Sequence, residues 1–526
     1  MSAGPGAPSR PGRQLPPVPP PVRRRRHPAK SFGAALGLTV VNTVLPGTAF
    51  LAARRRLLGG IVLGLFLASA AAVAWLLTGG RRYAVRIGVD TTTLLWVLAV
   101  VAVGALVWIT VIVAGYVMLL PRPSSAPKHV VGALVCALMV AVVALPAFYA
   151  GRLSLVQRDL IAGVFSGGES ATVDDKPNPF GSKERVNVLL LGGDGGEGRE
   201  GVRTDTVIVA SMDTHTGDTI MFSLPRNLEN LPFPSDSPLA QAYPNGFEDA
   251  TESESLLNAV YRNGPAAHPD ILGPTDHPGA DFLKLGVGEA LGLQIDYFVL
   301  VNLDGFSKLV DALGGITVNV NYWVPVGGEP TLGQLPDDYI APGPNQHMDG
   351  PTALAFARGR FGLTDYDRMA RQRCVIGAIV DAADPVTLLS QYQELAATTK
   401  DIVETDIPQS ALNDFVDLAF LVKDASVRSV VFDAKLINPA YPDYDQMREI
   451  VDRALHPPAA TSSGSAAPVD ETTLAPSSTT AAPPSAGTTA GPTRDPVADV
   501  QDACAYDPQQ AAEARARGKP PTKTGR

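Results

Sequence analysis

The chain has 526 residues, of which 45% are hydrophobic, a formal net charge of −9 and three cysteines. This length accommodates one or two sizeable domains with accessory segments, and the mean hydropathy of +0.10 is high for a wholly soluble protein. The acidic balance argues against nucleic acid as a partner of the large domain, because duplex binding needs a basic face.

The N-terminal third of the chain is first basic and then apolar. Residues 1–30 are rich in Pro, Gly and Arg, and we predict a disordered cytoplasmic arm without a cleavable signal. Residues 31–153 are predicted to form a membrane region. Its apolar segments lie near 32–53, 57–78, 92–120 and 129–150. The last three are long enough to cross a hydrocarbon core, whereas the first, interrupted by Asn42 and Pro46, is weaker.

The number of membrane crossings decides on which side of the membrane the large domain lies. Three crossings place it outside the cell, and four place it in the cytoplasm. The positive-inside rule puts the basic groups at 23–26 and 54–56 inside, which favours a first segment that does not cross. The basic residues at 81, 82 and 86 then lie outside, against the rule. We prefer three crossings, with four as the alternative.

The remaining chain divides into a linker, a large domain and a tail. After a linker at 154–179, residues 180–456 alternate strand-like and helix-like runs, which predicts an α/β domain large enough for its own core. Residues 457–526 are rich in Ala, Pro, Ser and Thr and are predicted to be disordered. Cys374 and Cys504 would face an oxidising exterior, and the sequence leaves open whether they pair.

Charged residues gather where three strand-like runs of the large domain end. These runs lie at 186–191, 207–210 and 219–223. The loops beside them carry two carboxylates, Asp194 and Asp205, and two arginines, Arg203 and Arg226. Loops at strand ends are where α/β sheets hold their functional groups. Carboxylates suit Mg²⁺ and arginine forks suit phosphate oxygens, so the segment predicts a metal-assisted pyrophosphate site.

Each of these residue types also has an ordinary structural interpretation. Two neighbouring aspartates repel one another unless a cation lies between them, but Asp194 and Asp205 could equally cap turns. Exposed arginines such as Arg203 and Arg226 most often form surface salt bridges. The glycines at 192–196 resemble a phosphate loop only weakly, since the Walker lysine and the GxGxxG spacing are missing.

A second group of arginines follows in an otherwise acidic part of the chain. Its members are Arg358, Arg360, Arg368, Arg371 and Arg373. Arg368, Arg371 and Gln372 are spaced i, i+3 and i+4, so they share one face of a helix. A solvated charged face is the usual explanation of such a run. Here apolar neighbours indicate a docked helix, and converging arginines need an anion such as a diphosphate or a polyanionic glycan.

With these groups in place, residues 180–456 resemble the LytR-CpsA-Psr family, of the kind found in actinobacteria. The motifs that carry the resemblance, in order, are LLLGGD (189–194), RTDT (203–206), SLPR (223–226), LNAVYRNG (257–264), IDYFVLVNLDGFSKLVDALGGITVNV (295–320), MDGPTALAFARGR (348–360) and DYDRMARQR (365–373). The resemblance implies a mixed central β-sheet flanked by helices, with a hydrophobic groove for a lipid, outside the cell on a multi-pass membrane anchor.

The resemblance also implies an activity. Family members are understood to move a glycopolymer from a polyprenyl-pyrophosphate carrier to a peptidoglycan hydroxyl, with pyrophosphatase activity when water is the acceptor. Asp194 and Asp205 would hold Mg²⁺, with Mn²⁺ as an alternative, and Asp205, Arg203 and Arg226 would be catalytic. The pyrophosphate would be bound by Arg203, Arg226, Arg358, Arg360, Arg368, Arg371 and Gln372.

Three positions depart from the family pattern and bear on polymer specificity. An arginine often found two residues after the first aspartate is Gly196 here, the aspartate after Pro225-Arg226 is Asn227, and a lysine before the Asn-Ala motif is Leu256. Two other functions stay open: a non-catalytic protein that binds polyprenyl phosphate or the wall, and a transcriptional attenuator. The sequence does not name the polymer.

Overall fold

The computed structural model describes only part of the chain. The described residues are 29–121, 125–165, 168–173, 180, 183–194, 202–330, 332–383, 403–457, 497–499 and 504–523. Most of the predicted N-terminal arm, the glycines at 195 and 196 and most of the predicted tail lie outside them. The contacts divide the chain into two units, Met1–Ala74 with Ala99–Ala150, and Trp75–Leu98 with Gly151–Arg526.

The N-terminal region consists of helices. These are α1 (Phe32–Val44), α2 (Thr48–Ala52), α3 (Arg56–Leu77), α4 (Arg81–Val89), α5 (Thr91–Leu119) and α6 (Ala126–Val164). Among the described residues, α3, α5 and α6 are long and apolar enough to cross a membrane. They correspond to the last three predicted segments. The predicted linker begins inside α6, and beyond that helix Ser170 donates a hydrogen bond to the buried Asp281.

The first predicted apolar segment is broken into two short helices, and Asn42 stabilises the break. Its side-chain oxygen accepts hydrogen bonds from the backbone N–H groups of Gly47, at 3.0 Å, and Ala49, at 3.1 Å. Its amide nitrogen donates to the carbonyl of Val111. Both polar atoms of the buried Asn42 side chain are therefore hydrogen-bonded, and α1, with 13 residues, is too short to span a hydrocarbon core.

A mixed seven-stranded sheet is the centre of the second unit, which confirms the predicted fold class. Its strands are β1 (Arg185–Gly193), β2 (Thr204–Asp213), β3 (Thr219–Leu224), β4 (Tyr297–Val301), β9 (Val403–Thr405), β10 (Val427–Val431) and β11 (Val497–Asp499). Their order across the sheet is β11-β10-β3-β2-β1-β4-β9. β1 runs antiparallel to β2 and parallel to β4, while β3 runs antiparallel to β2 and parallel to β10.

Helices cover both faces of this sheet. One face packs on α8 (Leu257–Ala267), α9 (Pro278–Leu291) and α14 (Tyr444–Leu455), and α7 (Pro238–Ala242) lies beside that core. The other face packs on α12 (Asp365–Ala382) and α13 (Leu412–Lys423). Successive strand residues, which point to opposite faces of the sheet, are therefore both apolar, as in Val188 and Leu189, because neither face of the sheet meets water.

Two small two-stranded sheets form a second core beside α12. β5 (Ile316–Val320) pairs with β8 (Gly343–Met348), and β6 (Val324–Val326) pairs with β7 (Asp338–Ile340). With α10 (Leu303–Ala312) and α11 (Gly350–Arg358), they enclose buried side chains that include Phe356 and Val375. This packing fixes α12, which carries the second arginine group.

The end of the predicted disordered tail is ordered, which differs from the prediction. β11 adds to the edge of the sheet beside β10, and α15 (Pro508–Arg517) is hydrogen-bonded to residues beside the small two-stranded sheets. Cys374 of α12 forms a disulfide with Cys504, Trp323 donates to the carbonyl of Ala514 at 2.9 Å, and Asn319 donates to the carbonyl of Cys504 at 2.8 Å. These long-range bonds supply the anchorage that the tail's own composition lacks.

Candidate functional site

The ends of β1 and β2 bring Asp194 and Asp205 together. The pairing of these strands shifts between Gly192, which faces Thr206, and Gly193, which faces Thr204, so Asp205 is the extra residue of a β-bulge. Asp194 follows β1 directly, and its carboxylate accepts a hydrogen bond from the backbone N–H of Arg203 at 2.9 Å. Bulges re-aim side chains, and here the two predicted carboxylates lie at the end of β1 and the start of β2, which are neighbouring central strands of the sheet.

Two arginines from distant parts of the chain converge on Asp205. Arg226, just after β3, donates Nη1 to Oδ1 of Asp205 at 2.8 Å, and its Nε lies 3.5 Å from Oδ1 of Asp365. Arg368 of α12 donates Nη2 to the backbone oxygen of Asp205 at 3.2 Å and pairs with Asp365 at 2.9 Å. The site is therefore an alternating array of guanidinium and carboxylate groups.

The first turn of α12 presents Arg368 to this array. A capping box starts the helix, since the side chain of Thr364 accepts the N–H of Asp367 and Asp367 bonds back to Thr364. The side chain of Arg368 is only 4% exposed, and its Nε is buried without a hydrogen-bond partner among the described residues. A buried guanidinium with an unpaired N–H group would be stabilised by an anionic ligand.

The electrostatics keep Asp205 ionised. Burial acts to raise the pKa of Asp205, but the hydrogen bond from Arg226 and the positive charges of Arg226, Arg368 and Arg360 outweigh it, and the pKa falls below its ordinary value. Burial lowers the pKa of Arg368, and the carboxylates of Asp365 and Asp205 oppose that change. An arginine nevertheless stays charged at neutral pH.

Arg203 belongs to a neighbouring pair of arginines that share one carboxylate. Arg203 and Arg262 of α8 both form ion pairs with Glu254, and Asn263 donates to the same carboxylate at 2.9 Å. The hydrogen bond from Asn263 and the charges of the two arginines lower the pKa of Glu254. Sequence reasoning did not select Glu254 or Arg262; Glu254 lies in a short polar stretch, and only its position before the LNAVYRNG motif distinguishes it.

The other predicted arginines do not all reach the same place. Arg360 lies close enough to act on the pKa of Asp205, whereas Arg358 is exposed on the last turn of α11. Arg371 is buried and donates to the carbonyls of Phe356 and Gly359 and to the hydroxyl of Tyr322. It holds the end of α11 rather than facing the array.

Gln372 and Asp365 complete the description of α12. Gln372 is partly buried on α12, one helical turn after Arg368. Asp365, quoted in the DYDRMARQR motif but not selected as a site residue, bridges Arg226 and Arg368. Its position at the start of the arginine helix was the signal that could have identified it.

The donor set suits a hard divalent cation that is only partly held by the protein. Asp194 and Asp205 lie at adjacent strand ends, and Asp205 is ionised. Over the described ranges, no group of three or more His, Cys, Asp or Glu side chains could hold a metal ion by itself. Mg²⁺ bound by two carboxylates normally takes its other ligands from water and phosphate, so these residues fit that ion together with a phosphorylated ligand.

Comparison with known proteins identifies relatives of this domain. The sequence model of the LytR_cpsA_psr family matches residues 166–447. A polyisoprenyl-teichoic acid–peptidoglycan teichoic acid transferase, TagU, of Oceanobacillus iheyensis is 30% identical over 44% of this chain and 62% of its own length. Biofilm regulatory protein A of Streptococcus mutans is 26% identical over 50% of this chain and 57% of its own.

A solved structure adds a third similarity. B. subtilis TagV is 23% identical and matches 52% of this chain and 98% of its own, with a TM-score of 0.34. The matches to the two sequence relatives cover about six tenths of their length, 62% for TagU and 57% for the regulatory protein.

Proposed function

The chain belongs to the LytR-CpsA-Psr family, and we propose that it is a membrane-anchored phosphotransferase. It would move a glycopolymer from a polyprenyl-pyrophosphate carrier to a hydroxyl of peptidoglycan. The observation that carries the proposal is the convergence of Arg226, Arg360 and Arg368 on Asp205, with a buried, unused donor on Arg368. The name of the TagU relative, a teichoic acid transferase, supports the same reaction class.

Binding of the diphosphate is the first task of the arginines. Guanidinium forks bind phosphate oxygens in pairs, and the carboxylates of Asp205 and Asp365 already hold Arg226 and Arg368 in position. A site arranged in advance loses little free energy to reorganisation when charge grows on the diphosphate in the transition state. Catalysis would therefore depend mainly on positioning and charge neutralisation, as in other phosphoryl transfers.

Asp194 and Asp205 would hold Mg²⁺, with Mn²⁺ as an alternative. When bound, such an ion neutralises charge on the phosphate oxygens. The lowered pKa of Asp205 suits a carboxylate that stays ionised as a ligand, whereas an efficient general base has a pKa near neutrality. We therefore assign Asp205 to binding and charge stabilisation rather than to proton removal.

The chemical step exchanges the phosphoanhydride bond of the pyrophosphate for a new phosphate ester. The oxygen of an acceptor hydroxyl attacks the glycan-side phosphorus, and a new P–O bond forms. The bond from that phosphorus to the bridging oxygen breaks, and polyprenyl phosphate leaves with the bond's electron pair. The proton of the hydroxyl passes to solvent. Water in place of the sugar hydroxyl would give pyrophosphatase activity.

Membrane anchorage by α3, α5 and α6 would keep the domain beside its lipid substrate. We propose three crossings, with the catalytic domain outside the cell. The Cys374–Cys504 disulfide supports that side of the membrane, because disulfides persist in oxidising compartments.

The test follows polyprenyl phosphate released from a short-chain polyprenyl-pyrophosphoryl sugar by the full chain in detergent. We expect release with Mg²⁺, none with EDTA, and none from Asp205→Ala. Asp424→Ala, an exposed aspartate after α13, is the matched control and should behave as wild type. A folded protein that binds the lipid without releasing polyprenyl phosphate would instead favour a binding protein. If Asp205→Ala changes neither the release of polyprenyl phosphate nor the binding of the lipid, the result would favour a regulator.

A further inference from the structure

A second concave site lies close to the arginine array and has a different chemistry. A cavity of about 560 Å³ opens between the segment after Arg226, the loop after α7 and the start of α14. This volume is within the range of about 300–1,000 Å³ that is usual for small-molecule sites. Its lining includes Phe233, Tyr243, Tyr441 and Tyr444 together with the amides of Asn230 and Asn245.

The walls of this cavity are fixed by backbone contacts. Asn230 has a positive φ of 52°, and a Cβ at Gly246 would lie 2.3 Å from the carbonyl oxygen of Asn230, so these two backbones touch. Tyr444 donates its hydroxyl to the carbonyl of Glu229 at 2.6 Å. Tyr243 packs against the ring of Phe233. The cavity is therefore formed before any ligand binds.

Tyr441 lines the same cavity but is largely exposed. The residue is 81% exposed, although it is a large aromatic group that lines a cavity. An exposed aromatic ring beside amide and phenol groups is suited to a ligand with one apolar face and several hydroxyls. A pyranose ring has that character, since its C–H face stacks on an aromatic ring and its hydroxyls reach polar partners.

The charge around the cavity favours a neutral chain over a polyanion. The residues that line it carry no charged side chain. Their sequence neighbours include four exposed carboxylates, Asp236, Glu248, Asp249 and Asp443. A polyanionic glycan would be repelled here and attracted to the arginines instead. In the glycan backbone of peptidoglycan, N-acetylglucosamine is neutral, and the carboxyl group of N-acetylmuramic acid is uncharged where it forms the amide bond to a stem peptide.

The cavity also lies within reach of the arginine array. Asn230 is four residues after Arg226, a path of at most about 14 Å. Backbone hydrogen bonds fix this segment at Arg226 and at Glu229. The carbonyl of Arg226 accepts the N–H of Asn258, and the N–H of Glu229 donates to the carbonyl of Pro439. A sugar chain seated in the cavity could extend a hydroxyl towards the diphosphate.

We propose that this cavity is the acceptor subsite, which binds a neutral glycan strand of peptidoglycan with Tyr441 as its stacking platform. The proposal rests on the proposed function, and it names the residues that select the acceptor. It separates two tasks: arginines bind the anionic donor, and an uncharged aromatic cavity binds the acceptor.

The kinetic test uses the full chain in detergent with peptidoglycan glycan strands as the acceptor. We expect Tyr441→Ala to raise the KM for the acceptor about tenfold while the KM for the donor and the hydrolysis without acceptor stay unchanged. Tyr441→Phe keeps the ring and should behave as wild type, and so should Leu332→Ala, which removes an exposed apolar side chain elsewhere. An unchanged acceptor KM, or a raised donor KM, would overturn the proposal.

A binding measurement keeps the proposal testable if no transfer is found. N-acetylchitotetraose, a neutral β-linked oligosaccharide, should give saturation-transfer NMR signals with wild type and with Tyr441→Phe, but not with Tyr441→Ala. The exposed Asn245→Ala is a second variant that should weaken the same signals. Binding without any polyprenyl phosphate release would contradict the proposed function alone. Equal signals from wild type and Tyr441→Ala would contradict the acceptor subsite.

Discussion

Arg226 donates Nη1 to Oδ1 of Asp205 across 2.8 Å, which joins the loop after β3 to the bulge at the start of β2. The same guanidinium lies 3.5 Å from Asp365, at the start of α12. One side chain thereby links two strands of the central sheet to the helix that carries the second arginine group. One member of each predicted arginine group, Arg226 and Arg368, therefore belongs to the same array.

Arg226→Lys tests whether this double contact matters. Lysine keeps the charge but offers a single ammonium group, which cannot reproduce the planar fork between Asp205 and Asp365. We expect release of polyprenyl phosphate to fall roughly 10- to 100-fold, mainly in kcat, with little change in melting temperature. Release at the wild-type rate would show that a point charge is sufficient. Lys423→Arg, on α13, exchanges the same two residue types elsewhere and serves as control.

Arg371 and Gln372 are adjacent on α12, but we expect substitution of the first to lower stability and substitution of the second to lower activity. Arg371 binds two backbone carbonyls and a phenol, so Arg371→Met leaves buried acceptors unpaired and should lower the free energy of unfolding by about 2–4 kcal/mol. Gln372→Ala should cost little stability and reduce release at least about tenfold. Denaturant unfolding and the release assay measure both quantities.

The opposite pattern for this pair would contradict the assignment. If Arg371→Met unfolds normally but is inactive, Arg371 faces the substrate as the sequence suggested. If Gln372→Ala is unstable but active, its role is structural.

The disulfide between Cys374 and Cys504 predicts a stabilised tail. The two cysteines are 130 residues apart, and opening so long a loop should lower stability by about 2–4 kcal/mol. The double variant Cys374→Ala with Cys504→Ala should therefore melt at a lower temperature, as should the reduced wild type. Thiol titration of the denatured wild type should find Cys136 alone before reduction. Three reactive thiols without reductant would show that the bond is absent.

His277 predicts a pH-dependent contribution to stability. Burial acts to lower its pKa, but the hydrogen bond to Glu404, at 2.7 Å, and the charge of Glu404 raise the pKa above 6.5. A raised folded-state pKa gives stabilisation that is complete below the unfolded pKa and is lost as pH rises through the folded value. The melting-temperature difference between wild type and His277→Asn should be larger at about pH 5.5 than at about pH 9. Equal melting-temperature differences at the two pH values would contradict the ion pair between His277 and Glu404.

Local pattern determined much of what the sequence revealed. Apolar length identified the three long helices, because a hydrocarbon core demands about 20 apolar residues whatever the rest of the fold. Apolar runs flanked by charged residues identified β1, β2 and β3, with Asp194 after the first run and Asp205 before the second. Motif order indicated the family, which the family match over residues 166–447 confirmed.

Long-range contacts decided the rest. Whether Arg371 faces a substrate or a helix end depends on where α11 packs, and the sharing of Glu254 by Arg203 and Arg262 depends on how the segment before α8 folds back. The cavity beside Tyr441 joins parts of the chain some 200 residues apart, as does the bond from Tyr444 to Glu229. Residue spacing in the sequence does not predict such contacts, because the path of the whole chain around its core determines them.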